Sequence, residues 1–467
     1  MKTCLGVIFG NRDIFPDHLV TEARQDVINL FKGMHIDGVM LGDKDTMLGS
    51  VVTYEDARAC GDLFKKNTDR IEGILIILPN FGDEKGVADT IKISGLRVPI
   101  LVQAYPDDLS KFNVESRRDA FCGKISVCNN LRQYGYDYSI TKQHTIHPAS
   151  EAFKAELEKF IRVCKVANGL RDVRVGAIGA RPGAFNTVRY SEKILQASGI
   201  SVSTIDLSEI FGNASRLDDH APKVKAKLDA IHEYAKHESV PSEALLRMAK
   251  LGVVISDWMT ENDLKASALQ CWSSMQKNFG INACTLMSMM SDQLMPSACE
   301  TDITGVVSMY ALQLASNFPS ALVDWNNNYA DDPDKCVLFH CGNWAKSFVP
   351  DIEIKTAPIL GTTLGEENTF GALAGSAASG PMTFARVSTD DIYGVMRAYT
   401  GEGNITTDAL NTFGNRAVVE VKNLQEILAH ICENGFEHHV AITMGQVAGA
   451  LDEAFWKYLG WKNYYHI

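Results

Sequence analysis

The chain has 467 residues of ordinary globular composition, of which 46% are hydrophobic and 22% are charged. Its 45 Lys and Arg residues against 57 Asp and Glu residues give a net charge of −12, so it has no overall electrostatic attraction to nucleic acid or to an anionic membrane. No segment approaches the roughly 18 consecutive apolar residues of a membrane-spanning helix, and the composition excludes collagen-like and low-complexity chains.

The N-terminal segment and the cysteines indicate in which cellular compartment the protein is expected. The segment MKTCLGVIFGNRDIFP has a short apolar run that ends in Gly-Asn-Arg-Asp, with no small-residue cleavage site, so it predicts a first strand rather than a signal peptide. The 11 cysteines contain no CxxC pair, which argues against a zinc ribbon or a disulfide framework. We therefore expect reduced thiols and a cytoplasmic protein.

Residues 1–170 alternate short apolar runs with amphipathic stretches. The runs predicted as strands are Leu5–Gly10, Gly38–Leu41, Gly73–Pro79 and Pro99–Tyr105. Continuous apolar runs separated by helices are typical of a parallel sheet that is covered on both faces. A predicted helix over Glu151–Val166 closes this segment, which we expect to be an N-terminal Rossmann-like domain.

Residues 171–350 repeat this pattern, and we expect a second Rossmann-like domain. It begins with predicted strands over Val173–Ala180 and Ile200–Leu207. Further along, the apolar run Leu251–Ser256 predicts another strand, and Glu261–Phe279 predicts a helix.

Residues 351–467 differ in character, with short Thr- and Val-rich segments such as GPMTFARVS and NRAVVEVKN between Gly-rich connections. This pattern indicates an antiparallel β domain. The predicted fold class is therefore α/β, with two Rossmann-like parallel-sheet domains followed by a β-rich, barrel-like C-terminal domain.

Polar residues stand at the edges of apolar elements at four places in the second half. Glu300 precedes a predicted helix, Asp324 directly follows an apolar run, His340 ends the run CVLFH, and His438 and His439 begin a strand-like segment. At such edges a loop presents side chains to a cleft. Two carboxylates with one or two imidazoles suit a divalent cation such as Mn²⁺, Fe²⁺ or Co²⁺.

Each of these residues also has a purely structural interpretation. Glu300 can favour the positive end of the following helix, with Asp302 or its neighbour as the N-cap. Asp324 can form a turn, and His340 can be a hydrogen-bonded core histidine. A His-His pair on a strand points one imidazole to each face, so at most one of the two would serve a given site.

Several enzyme classes lack their motifs. The glycines of GAIGARPGAFN do not follow the GxGxxG spacing, so a nicotinamide-dependent dehydrogenase has no fingerprint. The chain also has no GxxxxGK[ST], HExxH or GxSxG sequence, which removes support for a P-loop enzyme, a zincin or a serine hydrolase.

Taken together, the four places resemble the L-arabinose isomerase and L-fucose isomerase superfamily of metal-dependent aldose–ketose isomerases. CETD, with Glu300 and Asp302, is similar to a GEGD-like stretch of the arabinose branch, and Asp324 is similar to the second carboxylate of the fucose branch. VLFH and the His-His pair are similar to segments that carry the family's histidines. Three further segments also resemble the family: LRQYGYDYSITKQHT, ARPGAFNTVR and the tail WKNYYHI.

The resemblance implies a set of roles. Glu300 and Asp324 would be the catalytic carboxylates and also ligands of Mn²⁺ or another divalent cation such as Co²⁺, Fe²⁺ or Mg²⁺. His439 would be a third ligand, and His340 either a fourth ligand or a residue behind the ligands. His438 would contact substrate.

The resemblance also implies a homo-oligomer (trimer, tetramer or hexamer) with shared active sites, in which residues of the N-terminal domain reach a neighbouring subunit. The candidates for this contact with the substrate are Arg12, Lys124, Asn129, Gln143 and His144. Arg12 can equally be a surface-loop arginine.

The expected substrate is a small sugar, namely a pentose, a 6-deoxyhexose or a modified hexose such as sulfoquinovose, isomerised through an enediol. The alternative is a non-catalytic sugar-binding or regulatory protein on the same scaffold. The two differ in that a sensor needs polar groups for the sugar but no metal ligands.

Overall fold

The computed structural model describes residues 2–467 and separates them into two compact units, one ending at Asn168 and the other beginning at Gly169. The first unit is built on a five-stranded, all-parallel sheet with strand order β2-β1-β3-β4-β5. Its strands are β1 (Cys4–Phe9), β2 (Asp37–Val39), β3 (Gly73–Leu78), β4 (Ile100–Ala104) and β5 (Ser139–Ile140). Its helices are α1 (His18–Met34), α2 (Tyr54–Lys65), α3 (Glu84–Ser94), α4 (Ala120–Gln133) and α5 (Glu151–Arg171), the last of which continues into the second unit.

Strands β1, β3 and β4 are buried along their whole length, as expected for strands with helices on both faces of the sheet. Local signals in the sequence set the helix boundaries. At the start of α2, Thr53 and Asp56 form a reciprocal capping box. At the end of α3, Gly95 adopts the left-handed conformation that terminates helices.

The second unit begins with a four-stranded parallel sheet in the order β7-β6-β8-β9. Its strands are β6 (Val173–Ile178), β7 (Ile200–Ile205), β8 (Ala266–Leu269) and β9 (Ser297–Ala298). The helices of this region are α6 (Glu192–Ala197), α7 (Leu207–Arg216), α8 (Pro222–Tyr234), α9 (Ser242–Glu261), α10 (Ser274–Phe279), α11 (Cys284–Asp292) and α12 (Ile303–Ser316).

A nine-stranded sheet completes the second unit. Its strands are β10 (Ser320–Asn328), β11 (Lys335–His340), β12 (Glu353–Lys355), β13 (Ala372–Ser376), β14 (Gly380–Asp390), β15 (Val395–Ile405), β16 (Asn415–Glu420), β17 (His439–Met444) and β18 (Lys462–Tyr465). Six of them pair in the antiparallel ring β16-β11-β10-β17-β14-β15, which the β15–β16 pairing closes into a barrel. The accompanying helices are α13 (Pro358–Leu364), α14 (Leu424–Glu433) and α15 (Ala448–Glu453).

These sheets confirm the predicted fold class, two parallel α/β sheets followed by a barrel. The division at residues 170 and 350 into three domains stays a prediction. Strands β10 and β11, which precede residue 351, belong to the barrel sheet. Within residues 2–467, no helix combines the length and apolar character needed to cross a lipid bilayer.

Two predicted elements were wrong. Leu251–Ser256 is part of helix α9 rather than a strand, and Glu261–Phe279 contains strand β8 before the short helix α10. A short apolar run has no periodicity of its own to separate strand from helix. The buried positions of α9, among them Ala244, Met248, Leu251, Ile255 and Met259, follow the helical period over a longer window.

Candidate active site

Asp324 and His439 are cross-strand neighbours at one end of the barrel. Strand β10 pairs with β17 so that Asp324 lies directly opposite His439, and Oδ1 of Asp324 is 3.5 Å from Nε2 of His439. Strand β11 pairs with the other edge of β10 and ends at His340. The antiparallel register therefore brings three of the predicted site residues to the same end of the barrel.

Glu300 reaches these residues from the connection between β9 and α12. Glu300 and Thr301 both have φ 55, the left-handed conformation that few non-glycine residues adopt. The Glu300 side chain is buried, and its Oε1 accepts hydrogen bonds from Nε1 of Trp272 at 3.0 Å and from the thiol of Cys271 at 3.5 Å. A strained backbone conformation persists only where surrounding contacts hold it, and such residues are concentrated at functional sites.

The second carboxylate oxygen of Glu300 faces two imidazoles. Oε2 is buried and has no hydrogen-bond partner among the described residues, and it lies 3.6 Å from Nε2 of His340 and 3.7 Å from Nε2 of His439. Burial alone would raise the pKa of Glu300, but the nearby His340 and His439 outweigh it and hold this pKa below its ordinary value. Glu300 is therefore a buried carboxylate that stays ionised.

Asp302 orients His439. Its Oδ2 lies 2.8 Å from Nδ1 of His439, and its Oδ1 accepts the N–H of Gly305 as the N-cap of α12. Because an ionised carboxylate only accepts hydrogen bonds, the proton of a neutral His439 is held at Nδ1. The lone pair of Nε2 is then directed toward Glu300 and Asp324, as in the carboxylate–histidine pairs of metal sites.

A buried arginine fixes Asp302 in turn. Arg386 of β14 donates to both carboxylate oxygens of Asp302, at 2.6 and 3.0 Å, and lies 3.1 Å from Glu437. Neither Arg386 nor Asp302 is exposed. Burial would raise the pKa of Asp302, but the charge of Arg386 and the hydrogen bond to His439 hold this pKa well below its ordinary value.

His340 presents a different nitrogen to each side. Nδ1 accepts the backbone N–H of Cys341 at 3.0 Å, so the proton of the neutral ring is on Nε2. Nε2 is the nitrogen that lies 3.6 Å from Glu300. In this tautomer His340 faces Glu300 with an N–H donor rather than with the lone pair that a metal needs.

The His-His pair does not divide between two faces as the strand pattern predicted. Strand β17 begins at His439, so His438 lies just before it and is not bound to the strand's alternation. Nε2 of His438 is also 3.5 Å from Oδ1 of Asp324. Phe185 contacts the edges of His438 and Trp272, with ring centroids 5.6 and 5.3 Å apart, and forms an aromatic wall beside the site.

These side chains include groups that can bind a metal. Ligand atoms of Glu300, His340 and His439 lie within 4.8 Å of one another, as do those of Asp324, His438 and His439. His439 belongs to both groups. The unpartnered Oε2 of Glu300 fits this use, because a buried carboxylate oxygen without a partner costs free energy that a cation offsets.

The other predicted substrate residues lie in the first unit. Lys124 is buried and donates to Oγ1 of Thr141 at 2.8 Å and to the carbonyl of His144 at 3.2 Å, and burial lowers its pKa to about 8. The His144 ring packs edge-on against Phe121. Lys124 and His144 are thus brought together.

The remaining three predicted residues differ from one another in their surroundings. Gln143 is exposed, and its carbonyl accepts the hydroxyl of Thr141. Asn129 is on the exposed face of α4. Arg12 is held elsewhere in the unit, by the carbonyl of Gly82 at 2.9 Å and an ion pair with Glu84.

Three residues of the site were not expected from the sequence: Arg386, Trp272 and Phe185. Arg386 had a signal, since it stands in the apolar strand segment FARVS, where a charged side chain needs a buried partner. Trp272 was not recognised because residues Glu261–Phe279 were predicted to form one helix, whereas Trp272 lies in the connection between β8 and α10. Phe185 lies in an irregular turn, where no periodicity points to a neighbour.

Comparison with known proteins gives matches at both ends of the chain. Residues 6–171 match the family described as "Fucose/sulfoquinovose isomerase, N-terminal domain", and residues 338–466 match "L-fucose isomerase, C-terminal domain". The second match contains His340 and His439, whereas Glu300 and Asp324 lie between the two matched segments.

Two of the curated relatives below match over lengths that span this gap. A sulfoquinovose isomerase of Priestia aryabhattai is 24% identical over 407 residues, covering 86% of this chain and 87% of that protein. A sulfoquinovose isomerase of Alkalicoccus urumqiensis is 23% identical over 341 residues, covering 72% and 74%. One of Clostridium sp. (strain MSTE9) is 25% identical over 235 residues, covering 50% and 51%.

Proposed function

We propose that Glu300, Asp324 and His439 form the catalytic metal centre of this chain, an aldose–ketose isomerase that is similar to the fucose and sulfoquinovose isomerases. The observation that carries this proposal is the buried, unpartnered Oε2 of Glu300, which faces Nε2 of His439. Asp324 Oδ1 lies 3.5 Å from the same nitrogen. A sugar-binding protein without turnover has no need of a buried, unpartnered carboxylate oxygen beside two imidazoles.

The ligand chemistry favours Mn²⁺, with Co²⁺, Fe²⁺ and Mg²⁺ as the other candidates. Glu300 and Asp324 offer hard oxygen ligands and His439 a borderline nitrogen. Bound there, such a cation would polarise the carbonyl and hydroxyl oxygens of an open-chain sugar. His340 would stay behind the ligands, because its Nδ1 accepts the Cys341 N–H and its Nε2 carries the proton.

Glu300 is the base that we assign to the carbon-bound proton. Its Oε1 is held by Trp272, so Oε2 is the oxygen left both to bind the cation and, with its second lone pair, to accept the proton from C2 of the aldose. Returning that proton to C1 converts the enediol to the ketose. A pKa below the ordinary value keeps Glu300 ionised at neutral pH, which is the state that a base requires.

Asp324 is assigned to the oxygen side of the reaction. Over the whole conversion of aldose to ketose, a second proton must move from O2 to O1, because the aldose has its carbonyl at C1 and the ketose at C2. Asp324 is more exposed than Glu300 and has His438 3.5 Å away. Burial, followed by the proximity of His439, lowers the pKa of His438, so this ring is neutral and can hold or pass a proton beside Asp324.

For the substrate we propose sulfoquinovose, ahead of an unsubstituted pentose or 6-deoxyhexose. The curated relatives reported above carry that name, and the N-terminal match includes it in its description. We also propose a cytoplasmic homo-oligomer in which Arg12, Lys124 and the other first-unit candidates complete a neighbouring subunit's site. A fully active monomer in light scattering coupled to assay would contradict that assembly.

Proton NMR with a sugar panel tests the reaction and the substrate together. The protein is incubated with Mn²⁺ and sulfoquinovose, L-fucose, L-arabinose or D-arabinose. We expect ketose signals from sulfoquinovose at a rate above those of the other three. Ketose formation from one of the other sugars and not from sulfoquinovose would overturn the proposed substrate. If the protein binds Mn²⁺ but forms ketose from none of the four sugars, the proposed catalytic centre is wrong.

A further inference from the structure

Four cysteines that are far apart in the sequence converge behind Glu300. Cys271 follows β8, Cys284 begins α11, Cys299 follows β9 and Cys341 follows β11. We call them the thiol cluster. Sγ of Cys284 lies 4.0 Å from Sγ of Cys341, and Sγ of Cys299 lies within 4.8 Å of Sγ of Cys271 and of Sγ of Cys341.

His340 joins this cluster with its lone pair. The ring nitrogen Nδ1, which carries no proton when it accepts the Cys341 N–H, lies 3.4 Å from Sγ of Cys341. Ligand atoms of Cys299, His340 and Cys341 all lie within 4.8 Å of one another. His340 thus directs a donor toward Glu300 and an acceptor toward the thiols.

We propose that Cys299, His340 and Cys341, with Cys284 as the fourth ligand, form a second metal site for a thiophilic divalent cation of the zinc class. The donor atoms are soft sulfur and imidazole nitrogen, which select zinc or cadmium over manganese or magnesium. This set is chemically distinct from the carboxylates of the catalytic centre. It does not use the Glu300, Asp324 and His439 ligands.

Two of the distances between the ligand atoms are close to those of a tetrahedral site. With Zn–S near 2.3 Å and Zn–N near 2.0–2.1 Å, a tetrahedral site separates two sulfurs by about 3.8 Å and a sulfur from a nitrogen by about 3.6 Å. The corresponding distances here are 4.0 Å between Cys284 and Cys341 and 3.4 Å between Cys341 and His340. The cation would take the place of the Cys341 N–H at Nδ1.

Such a cation would join three separate elements under the active site. Cys284, Cys299 and Cys341 belong to α11 and to the segments after β9 and β11, and Glu300 directly follows Cys299. Binding free energy at a site that forms only in the folded chain adds to the stability of the fold. We therefore expect a metal-dependent rise in Tm.

Cadmium titration of the full chain tests the site without any activity assay. Reduced, metal-free protein is first supplied with excess Mn²⁺ to occupy carboxylate sites. Cd²⁺ is then added while the ultraviolet thiolate-to-cadmium charge-transfer band and Tm are recorded. The exposed Cys122 and Cys432 are replaced by serine in every sample, since they could bind cadmium on the surface.

We expect the band to saturate at one Cd²⁺ per chain and to be lost in the double variant Cys299→Ala, Cys341→Ala. Cys336→Ala is the matched control, because Cys336 is a buried thiol on the same strand as His340 but outside the cluster. This variant should titrate like the parent. Circular dichroism verifies that each variant is folded.

Two results would overturn the site: no band at one equivalent in the parent, or an unchanged band in the folded double variant. If the double variant does not fold, the single change Cys341→Ser, at a partly exposed thiol, decides instead. It should weaken Cd²⁺ binding by about 10-fold or more, and unchanged affinity would overturn the site. A cadmium band in a protein that isomerises no sugar would leave this site standing while removing the proposed catalytic centre.

Discussion

The Nδ1 nitrogen of His439 lies 2.8 Å from Oδ2 of Asp302, and both side chains are buried. This single hydrogen bond determines which nitrogen of His439 is free to bind a cation. It also ties the barrel strand that begins with His439 to the N-terminus of α12, where Asp302 is the N-cap. The geometry of the site therefore depends on the junction between the parallel sheet and the barrel within the second unit.

Replacing His439 by alanine should weaken Mn²⁺ binding by about 10-fold or more, because the replacement removes a nitrogen that lies 3.7 Å from Glu300 and 3.5 Å from Asp324. Isothermal titration calorimetry measures the affinity. His438→Ala is the comparison, since it removes the neighbouring imidazole and should change KM for the sugar more than the affinity for Mn²⁺. Equal loss of Mn²⁺ affinity in the two variants would contradict the assignment.

Arg386→Met should lower the free energy of unfolding by about 3–5 kcal/mol, because it leaves the buried carboxylate of Asp302 without its cation. Urea denaturation of both proteins gives this difference. Adding Asp302→Asn to Arg386→Met should recover part of the loss, since the buried charge is then removed as well. If Asp302→Asn lowers the free energy of unfolding as much in the Arg386→Met protein as in the wild type, the two residues are not coupled. That result would contradict the prediction.

Lys124 should make stability depend on pH in the alkaline range. Its pKa of about 8 in the folded chain lies below the about 10.4 of an unfolded lysine. Between these values the unfolded chain binds more protons, so the contribution of Lys124 to the free energy of unfolding rises from pH 8 toward pH 10.4. Denaturation of the wild type and of Lys124→Met at several pH values measures this contribution as the difference between their free energies of unfolding. If this difference stays constant or falls as the pH rises, the pKa of Lys124 is not lowered.

Two helical glycines of the first unit should respond in opposite ways to alanine. A Cβ at Gly123 would come within 1.6 Å of the Phe81 carbonyl oxygen, so α4 would have to move, with a loss of about 1–3 kcal/mol. Gly33, on the exposed side of α1, has nothing within 4 Å of its Cβ position, and Gly33→Ala should gain up to about 0.5–1 kcal/mol. Thermal unfolding of both variants measures these changes, and a neutral Gly123→Ala would mean that the close approach is not there.

Prediction from the sequence succeeded best for continuous apolar runs and for polar residues that stand at the edges of such runs. Strands β1 and β3 could be predicted because every residue in them is buried. Glu300 and His340 could be singled out because each polar side chain stands at the edge of an apolar run. Helix α9 was misread at Leu251–Ser256, because packing on both sides hides the polar face that normally reveals a helix.

Relationships between distant segments could not be predicted from one sequence. The pairing of Asp324 with His439 depends on the register of β10 against β17, which no local pattern specifies. The thiol cluster was equally hidden, because its members, such as Cys284 and Cys341, come from four separate elements. The Arg386–Asp302 pair likewise joins a barrel strand to a helix N-terminus.

Solvent deuterium exchange with Glu300→Gln tests the central claim most directly. Glutamine keeps the shape of the side chain and can still accept the Trp272 hydrogen bond at its carbonyl oxygen, but it cannot take up the C2 proton. In D₂O with Mn²⁺ and sulfoquinovose, wild-type protein should form ketose and place deuterium on the carbon that receives the proton. Glu300→Gln, folded and with sugar present, should do neither, whereas exchange near the wild-type rate would contradict the role of Glu300 as the base.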